Sequence, residues 1–386
     1  MNKAIILGND HTNSIGLIHS LGRCGVYTIV VVWGRKTGMV PASKYVSEFY
    51  SAASPQACMD LIIEKYANTN DTFVVFPGCD GAAVALEEYR DKLSTNFLFQ
   101  HVDGPNSLKE LDNKKLQVEI AEKSGFRTPK SWNLESLNNI PEDIVFPCII
   151  KSLVAMEGSK SDLLVCENQE QLKTNLTLVL SRTPRVQVQQ YIEKDFDFDV
   201  MGCRFSDGKV YIPVCLKKLG IFPPKVGLAT VSETTAVPDE IIEAASNYIK
   251  EVGYYGIFDF EYMHSTIDNK NYFIECNLRN SGSNAFALRA GYNLPLYHFK
   301  DLTGNLQDSD INRGPIKSRY YIRELNHWFA FRNHHITAWR YLIEELRSSG
   351  NLTWCWNDPK PFFKEIMPFV KSTLRIKNNK GKEYYE

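Results

Sequence analysis

The sequence predicts two fold classes in succession, an α/β unit followed by an α+β unit whose sheet is largely antiparallel. Short apolar strands alternate with helical patterns over about the first 105 residues, and strand patterns dominate from Val186 onward. Two further runs, Ile257–Met263 and Asn271–Cys276, flank a polar turn as the two strands of a hairpin do. With 386 residues, 44% of them hydrophobic, the chain is long enough for two or three domains.

Residues 1–105 are expected to form an N-terminal α/β domain. Apolar strands are predicted at Ala4–Leu7, Val26–Val32 and Phe73–Phe76, and the intervening helices include Pro55–Tyr66 and Gly81–Leu93. Strands that alternate with helices pair in parallel, and the helices then cover both faces of the sheet. The glycines of this region lack the G-x-G-x-x-G spacing of a dinucleotide fingerprint, which disfavours an oxidoreductase.

Residues 106–305 are expected to form the second unit. Its helices are predicted where apolar residues recur at helical spacing or where a glycine or proline marks a helix end, namely at Asn113–Lys123, Asn168–Leu180 and Pro238–Val252. Its strands are predicted at Phe146–Lys151, Val186–Tyr191, Phe196–Val200, Val210–Lys217 and the hairpin described above. Strands that follow one another without helices favour antiparallel pairing.

Residues 306–386 are expected to form a C-terminal α+β extension. A strand is predicted at Arg319–Leu325, and helices are predicted at Thr337–Arg347 and Phe362–Ser372.

Composition and charge exclude several classes of protein. The net charge is −1, with 44 basic and 45 acidic residues, so there is no electrostatic reason to expect a nucleic acid or a membrane as partner. The nine cysteines are scattered singly, which argues against a zinc site and against a disulfide framework. No signal-peptide pattern and no apolar run of about 18 residues occurs, so we expect a cytoplasmic protein.

The stretch Phe273–Arg279 carries the clearest functional pattern. It begins as an apolar strand and then presents Glu275 and Asn277 on one face, because side chains of a strand alternate with a period of two. A carboxylate and an amide oxygen are ligands that Mg²⁺ prefers. Arg279, at the same parity, suits an anion such as a phosphate or a carboxylate. The stretch therefore predicts a site for a metal and a nucleotide.

Glu261 would complete this site if the predicted hairpin forms. Glu261 and Glu275 would then face each other across two strands, and two like charges in that position are destabilising unless a cation lies between them. One or two Mg²⁺ ions bound to ATP phosphates would supply that cation. Asp259 has the same parity as Glu261 and is a reserve candidate. The alternative is that both glutamates are independent exposed acids.

Lysines are placed where they could hold phosphates. Lys114 opens a predicted helix, and Lys151 ends an apolar strand, where an amine needs a specific partner. The alternative for both is an ordinary solvated lysine. Lys217 and Lys218 follow another strand, and one of them could reach a γ-phosphate. We take Lys217 as the catalytic candidate, although the sequence does not decide between these neighbours.

The segment Gln190, Tyr191, Ile192 ends a predicted strand, and its free backbone groups could read the edge of an adenine. Asp195 and Asp197 follow and could accept hydrogen bonds from ribose hydroxyls. Together with Asp199 they alternate along a strand, which places all three aspartates on one face. A strand with its polar face in water would give the same pattern.

Ser159 lies in a loop of small and hydroxyl residues at 152–162. Such residues let backbone N–H groups approach a phosphate, so Ser159 is a candidate phosphate contact. The loop contains little glycine, and an ordinary hairpin loop would look similar.

In this order, these residues resemble the ATP-grasp superfamily of carboxylate–amine ligases over about 300 of the 386 residues. The resemblance rests on Lys114, Lys151, the hinge-like segment from Gln190 to Ile192, Glu261, and the E-x-N-x-R motif from Glu275 to Arg279. Three features depart from the usual pattern: Gln190 stands where Glu is common, the 152–162 loop is poor in glycine, and Leu278 stands where Pro is common. Within the superfamily, the N-terminal part and the segment Tyr321–Glu324 are most similar to the D-aspartate ligase and carbamoyl-phosphate-synthase-like branch.

The resemblance implies an ATP-grasp fold with an N-terminal Rossmann-like domain and a C-terminal extension, and with ATP between two lobes. It implies ATP and one or two Mg²⁺ ions, or Mn²⁺, as cofactors. It implies small-molecule carboxylate and amine substrates, and it leaves open a homo-oligomer. The residue roles it implies are catalytic for Arg279 and Lys217, nucleotide-binding for Lys114, Lys151, Ser159, Gln190, Tyr191, Ile192, Asp195 and Asp197, and metal-binding for Glu261, Glu275 and Asn277.

The implied reaction begins when a substrate carboxylate attacks the γ-phosphate of ATP, which gives an acyl phosphate and ADP. An amine, with an amino acid on one side of the reaction, then displaces the phosphate. Two alternatives remain open from the residues alone. One is a phosphotransferase with a hydroxyl substrate on the same fold, and the other is a protein that binds a nucleotide without catalysis.

Overall fold

A computed structural model describes residues 1–34, 37–153, 163–224 and 227–376 of the chain. Among these residues, no helix is long and apolar enough to cross a membrane. The first region contains, in chain order, β1 (Asn2–Asn9), α1 (Thr12–Gly22), β2 (Tyr27–Trp33), β3 (Val46–Ser51), α2 (Pro55–Tyr66), β4 (Thr72–Pro77), α3 (Asp80–Glu88), β5 (Phe97–Phe99) and β6 (His101–Val102).

The first region is built on a parallel five-stranded sheet, as the alternation of strands and helices predicted. Its order is β3-β2-β1-β4-β5, so the strand order reverses between β1 and β4. The central strand β1 is buried along Ala4–Leu7 because helices cover both faces. In open sheets of this kind, ligands bind outside the carboxyl ends of the strands at such a reversal. The turns that follow β1 and β4 therefore mark a candidate ligand crevice.

The second region begins with α4 (Leu108–Leu111), α5 (Lys114–Lys123), β7 (Ser131–Leu134), β8 (Cys148–Ser152), β9 (Leu164–Cys166), α6 (Gln169–Leu180) and β10 (Val186–Gln190). Its strands form a small antiparallel sheet of order β7-β10-β8-β9. Helix α6 packs on this sheet through Leu172, Leu176 and Val179, which recur at helical spacing and are buried. Asn168 caps α6, since its side chain accepts a hydrogen bond from Gln171 N.

A larger antiparallel sheet follows. It contains β11 (Lys194–Arg204), β12 (Val210–Phe222), β13 (Leu228–Thr235), β14 (Tyr254–Ser265) and β15 (Asn271–Asn277), with α7 (Asp239–Glu251) packed on it. Aromatic side chains of one face, among them Phe260 and Phe273, pack against Tyr248 of α7. β14 and β15 pair as the predicted hairpin. β13 was not predicted, because its sequence is rich in hydroxyl residues and lacks a strong apolar pattern.

The remaining elements are α8 (Asn284–Arg289), α9 (Leu294–Leu302), β16 (Tyr320–Ile322), α10 (Glu324–Arg332), α11 (Ala338–Arg347) and α12 (Lys360–Ile376). β16 joins the large sheet beside β13. α10 begins inside the segment predicted as a strand. Its first residue, Glu324, is buried and accepts hydrogen bonds from the backbone N–H groups of Thr353 and Trp354, a tertiary contact that the local sequence does not indicate.

The large sheet packs its other face against the first region through one shared core. Ile6, Val30 and Phe76 of the parallel sheet belong to the same buried cluster as Met201 and Phe286. The carboxyl ends of β1 and β4 consequently lie next to the large sheet. This packing positions the candidate site described below.

Asp358 links the C-terminal region to the first region through hydrogen bonds. Its carboxylate is 1% exposed and accepts hydrogen bonds from Ser43 Oγ, from the backbone N–H of Lys44 (3.1 Å) and from His19 Nε2 (3.1 Å). Burial lowers the pKa of His19, so its imidazole is neutral and donates the Nε2 hydrogen. Three donors on one buried carboxylate make this contact a strong tertiary restraint.

Candidate functional site

Carboxylates from three neighbouring strands line one face of the large sheet. In the register of these strands, Asp199 lies opposite Glu261, and Glu261 lies opposite Glu275, as the sequence predicted for the two glutamates. Asp259 lies two residues from Glu261 on β14, opposite Asn277. We call Asp199, Asp259, Glu261 and Glu275 the carboxylate cluster. Burial raises the pKa of Glu261 and of Asp259, neighbouring acids of the cluster raise both further, and Lys218 opposes the rise.

Lys218 lies within the carboxylate cluster. Its Nζ is 2.7 Å from Asp199 Oδ1 and 3.0 Å from Glu261 Oε2. Burial by itself would lower the pKa of Lys218, but the two carboxylates outweigh burial and raise it, so the ammonium stays charged.

Lys217, the catalytic candidate from the sequence, is not brought to this cluster. Its Nζ lies 3.6 Å from the centre of the Phe196 ring. Lys217 is on β12, where it lies opposite Phe198 of the neighbouring strand β11. Adjacent residues of a strand point to opposite faces, so only one of two neighbouring lysines can meet the carboxylates. The geometry gives that position to Lys218.

Lys114 pairs with Glu275 at the first turn of α5. Lys114 Nζ donates to Glu275 Oε2 at 2.7 Å. The lysine charge lowers the pKa of Glu275 to about 2. Burial would lower the pKa of Lys114, but Glu275 outweighs it and the pKa is raised. Asn113 caps the helix by accepting from Lys115 N, which fixes the start of α5 and hence the place of Lys114.

Lys151 is a buried amine whose hydrogen-bond partner is uncharged. It is 7% exposed, and its Nζ donates to Gln189 Oε1 at 3.0 Å. Gln189 is held in turn by a hydrogen bond from its Nε2 to Ser131 Oγ (2.9 Å). Burial, together with the nearby charge of Lys114, lowers the pKa of Lys151 to about 7. An amine in this environment would be stabilised by an anion such as a phosphate.

Arg279 joins β15 to the first region. Its Nε and Nη2 donate to the two carboxylate oxygens of Asp80 at 2.5 and 3.1 Å, and its Nη2 also donates to Asn277 Oδ1 at 2.9 Å. Asp80 opens α3, directly after the turn that follows β4. Both residues line a cavity of about 100 Å³ that also borders Lys114, Glu275 and Gln117. The carboxyl end of β4 thus meets the carboxylate cluster through this ion pair.

The nucleotide-contact candidates at the end of β10 already use part of their backbone groups. At the end of β10, Gln190 N donates to Lys130 O and Tyr191 N donates to Pro147 O, so two of the expected free backbone groups already have partners. Ile192 is 6% exposed. Ser159 lies outside the described residues.

The three alternating aspartates do not share one environment. Asp197 receives a hydrogen bond from Lys194 Nζ at 2.6 Å, and Asp199 belongs to the carboxylate cluster. Asp195 instead contacts His264 Nδ1 at 2.9 Å. The pairing of β11 with β14 shifts register between Lys194 and Phe196, and this bulge separates Asp195 from the other two.

Three residues of the site were not identified from the sequence. Gln189 binds Lys151, Asp80 binds Arg279, and Ser283 binds Asp199. Lys218, which binds Glu261, was named together with Lys217, and the sequence left the choice between them open. For the others, no local pattern distinguishes the residue from an ordinary polar side chain.

The donor set fits a hard divalent cation. Glu261, Glu275 and Asn277 offer oxygen ligands of the kind that Mg²⁺ prefers, and Glu261 directly opposes Glu275. Asp259 Oδ1 is buried and has no hydrogen-bond partner among the described residues, so their donors do not saturate the cluster. In the described parts of the chain, no three His, Cys, Asp or Glu side chains converge to hold a metal by themselves, so Asn277 and ligand oxygens would have to complete a site.

Comparison with known sequences gives distant relatives. No family model matches the chain. The multifunctional protein ura1 of Schizosaccharomyces pombe is 22% identical over 312 residues, which are 74% of this chain and 13% of that protein. The formate-dependent phosphoribosylglycinamide formyltransferase of Sulfurisphaera tokodaii is 26% identical over 137 residues, which are 33% of this chain and 34% of that protein. The chain thus spans much less than two thirds of the length of either curated relative.

Several solved structures have a backbone fold similar to that of this chain, at low sequence identity. An L-amino acid ligase from Bacillus licheniformis has a TM-score of 0.63 at 15% identity, covering 83% of this chain and 79% of that one. The N5-carboxyaminoimidazole synthetase of Staphylococcus aureus, complexed with ADP, has a TM-score of 0.64 at 13% identity, covering 86% of both chains. A biotin carboxylase–β,γ-ATP complex from Campylobacter jejuni has a TM-score of 0.64 at 17% identity, covering 82% of this chain and 74% of that one. The protein therefore has the ATP-grasp fold.

Proposed function

We propose that the protein is an ATP- and Mg²⁺-dependent ligase, which activates a carboxylate as an acyl phosphate and joins it to an amine, with an amino acid on one side. The observation that carries this proposal is the row Asp199–Glu261–Glu275 across three strands, flanked by Lys218 and Lys114. The fold supports it, since the similar structures include a ligase, a synthetase and a carboxylase. The branch of D-aspartate ligases and carbamoyl-phosphate-synthase-like proteins remains our hypothesis for the type of ligase.

The residue roles follow from the charges. Lys114 and Lys151 would bind the phosphates of ATP, and Glu261, Glu275 and Asn277 would hold Mg²⁺, which supplies positive charge to the phosphate oxygens. Lys218 and Arg279 would stabilise the charge that develops on the transferred phosphoryl group. These cations offset the repulsion between a substrate carboxylate and the triphosphate. Gln190, Tyr191, Ile192, Asp195, Asp197 and Ser159 keep their proposed role in nucleotide binding.

The proposed chemistry has two steps. A carboxylate oxygen of the acid attacks the γ-phosphorus, and the bond from that phosphorus to the bridging oxygen breaks to release ADP. The amine nitrogen then attacks the acyl carbon, and inorganic phosphate leaves. Positioning of the reactants supplies much of the rate, because the two substrates must meet in one orientation. We assign this meeting place to the junction of the 1–105, 106–305 and 306–386 regions.

The decisive test is an ADP-release assay with pairs of small acids and amines. We expect ADP only when an acid and an amine are both present, with one inorganic phosphate per ADP. ADP release with an alcohol alone would replace the ligase by a phosphotransferase. Tight nucleotide binding without turnover of any pair would leave a non-catalytic nucleotide-binding protein.

The adjacent lysines provide an internal control for the site. We expect Lys218→Met to lower the rate of ADP release by about 10²-fold, since a buried cation beside the transferred group is lost. Lys217→Met should leave the rate nearly unchanged, because Lys217 packs on Phe196 at the opposite face. Steady-state rates of both variants, checked for folding by circular dichroism, measure the difference. Equal losses in both would contradict our assignment.

Lys151 should take up a proton when ATP binds. Its pKa of about 7 in the free protein leaves it largely neutral at pH 8, and a neighbouring polyphosphate would raise that pKa. We therefore expect net proton uptake at pH 8 that declines toward pH 6, where Lys151 is already protonated. Calorimetric titrations of Mg-ATP in buffers of different ionisation enthalpy measure it. The same titrations with Lys151→Met should show the uptake reduced; equal uptake in the variant would refute the role.

A further inference from the structure

Arg323 is a charged side chain that the proposed chemistry leaves without a role. It lies between β16 and α10, and its backbone N–H donates to Thr230 O at 3.0 Å. Its Nη2 donates to Ser283 Oγ at 3.0 Å. Its Nε is buried and has no hydrogen-bond partner, and no carboxylate of the described residues forms an ion pair with it. The side chain is half-buried, with its Cζ 5.8 Å from the centre of the Phe286 ring, and its unused donors suit an anion.

Ser283 connects Arg323 to the carboxylate cluster. The hydroxyl accepts from Arg323 and donates to Asp199 Oδ2 at 2.7 Å. Asp199 in turn contacts Lys218 at 2.7 Å. Arg323 is thus two hydrogen bonds away from the cluster that we assign to metal and phosphate. A ligand held by Arg323 would lie at the edge of that cluster.

The same guanidinium borders the crevice at the carboxyl end of β1. A Cβ added at Gly282 would lie 2.8 Å from Asn13 Oδ1 and 4.0 Å from Arg323 Nη1, so the two side chains approach Gly282 together. Asn13 belongs to the first turn of α1, directly after β1. This is the point of the parallel sheet where the strand order reverses and where ligands of such sheets bind.

Buried polar groups next to Ser283 also lack partners. Asn284 is 2% exposed, and neither its Oδ1 nor its Nδ2 forms a hydrogen bond with the described residues. Asn280, also 2% exposed, leaves its Oδ1 without a partner. Burial of an amide without hydrogen bonds is unfavourable, so these groups point to a polar ligand or ordered water in the same place.

We propose that Arg323 binds a carboxylate of the substrate other than the one that is phosphorylated, as the α-carboxylate of an amino acid would be. The inference rests on the proposed ligase function and names the substrate class for its site. The Nε–H and one N–H of Nη2 lie on the same edge of a guanidinium and match the two oxygens of a carboxylate, while the second N–H of Nη2 donates to Ser283 Oγ. Arg323 is then a specificity-determining residue contributed by the C-terminal region, which completes a site shared by three parts of the chain.

The test is a calorimetric measurement of substrate binding that needs no turnover. The probes are the twenty L-amino acids, D-alanine, D-aspartate and succinate, each with Mg²⁺ and β,γ-methylene-ATP present, and the carboxamide of the tightest binder. Wild-type protein is compared with Arg323→Met, Arg323→Lys and Arg332→Met. The last variant is a matched control, because Arg332 is exposed at the end of the same helix, α10.

For the tightest binder, we expect Arg323→Met to raise the Kd about 100-fold and to remove the preference for the acid over its carboxamide. Arg323→Lys should recover part of the affinity, and Arg332→Met should bind as wild type. The Kd of the ATP analogue should be unchanged in all variants, which also reports correct folding. The proposal is overturned if no probe binds wild type, if the carboxamide binds as well as the acid, or if Arg323→Met retains wild-type affinity.

The binding measurements test the carboxylate subsite, and the ADP-release screen tests the ligase proposal, so either can fail without the other. Binding that depends on Arg323, without ADP release from any acid–amine pair, would refute the ligase proposal and keep the carboxylate subsite. Pair-dependent ADP release with unchanged substrate Kd in Arg323→Met would keep the ligase proposal and refute the subsite.

Discussion

Replacing Glu275 with glutamine is expected to lower ADP release by about 10²- to 10³-fold, because a charged ligand of the proposed Mg²⁺, the ion that offsets the charge of the reacting phosphates, is lost. Glutamine has nearly the same shape, so the change removes the charge and little volume. Glu275 opposes Glu261 across the hairpin and pairs with Lys114 at 2.7 Å, which places the loss at the centre of the proposed metal site. Steady-state ADP release with the best acid–amine pair measures the effect.

The Mg²⁺ dependence separates this role from a structural one. If Glu275 holds the ion, the variant should need more Mg²⁺ for half-maximal binding of ATP, a readout that does not depend on turnover. Glu243→Gln is the matched control, since Glu243 is exposed on α7 at the other face of the sheet. Wild-type ADP release in Glu275→Gln, with unchanged Mg²⁺ dependence, would rule out the metal site as we have assigned it.

Replacing Asp358 with alanine is expected to lower the free energy of unfolding by about 3 kcal/mol, because hydrogen bonds to a buried charge are lost and their donors are left unpaired. Those donors are Ser43 Oγ, Lys44 N and His19 Nε2, all in the first region. The effect is large for a residue far from the carboxylate cluster. Urea unfolding followed by circular dichroism at pH 7.5 measures it.

Asp308→Ala is the control for this measurement. Its side chain is 90% exposed and pairs with the exposed Arg313, so we expect a change of less than about 0.5 kcal/mol. A similar small change in Asp358→Ala would mean that the C-terminal region contributes little through this contact.

Local patterns predicted much of the fold. α2 was predicted at Pro55–Tyr66, where the structure has it, because a proline at the first turn and helical apolar spacing are both local features. The hairpin of β14 and β15 was predicted because its two runs flank a short polar turn. Several strands, β3 and β13 among them, were not predicted, since residues of mixed composition become strands through their neighbours in the sheets.

The candidate site was also predicted only in part, because some of its contacts depend on how the strands pair in the sheet. Periodicity placed Glu275 and Asn277 on one face, and the hairpin brought Glu261 opposite Glu275. Periodicity could not choose between Lys217 and Lys218, because the face that meets the carboxylates depends on the register of β12 with β11. It also placed Asp195 beside Asp197, and the bulge in β11 separated them.

The sequence by itself determined the order of elements, the antiparallel hairpin and the residue types that suit a metal and phosphates. These depend on spacing along the chain, which is set by the two- and 3.6-residue periods of strands and helices. Only the tertiary structure decided that Lys218 joins the carboxylates, that Asp80 holds Arg279, and that Arg323 lies beside Ser283 and Gly282. Such contacts join residues tens to hundreds of positions apart, and they form because separate sheets pack on one core, which no local pattern records.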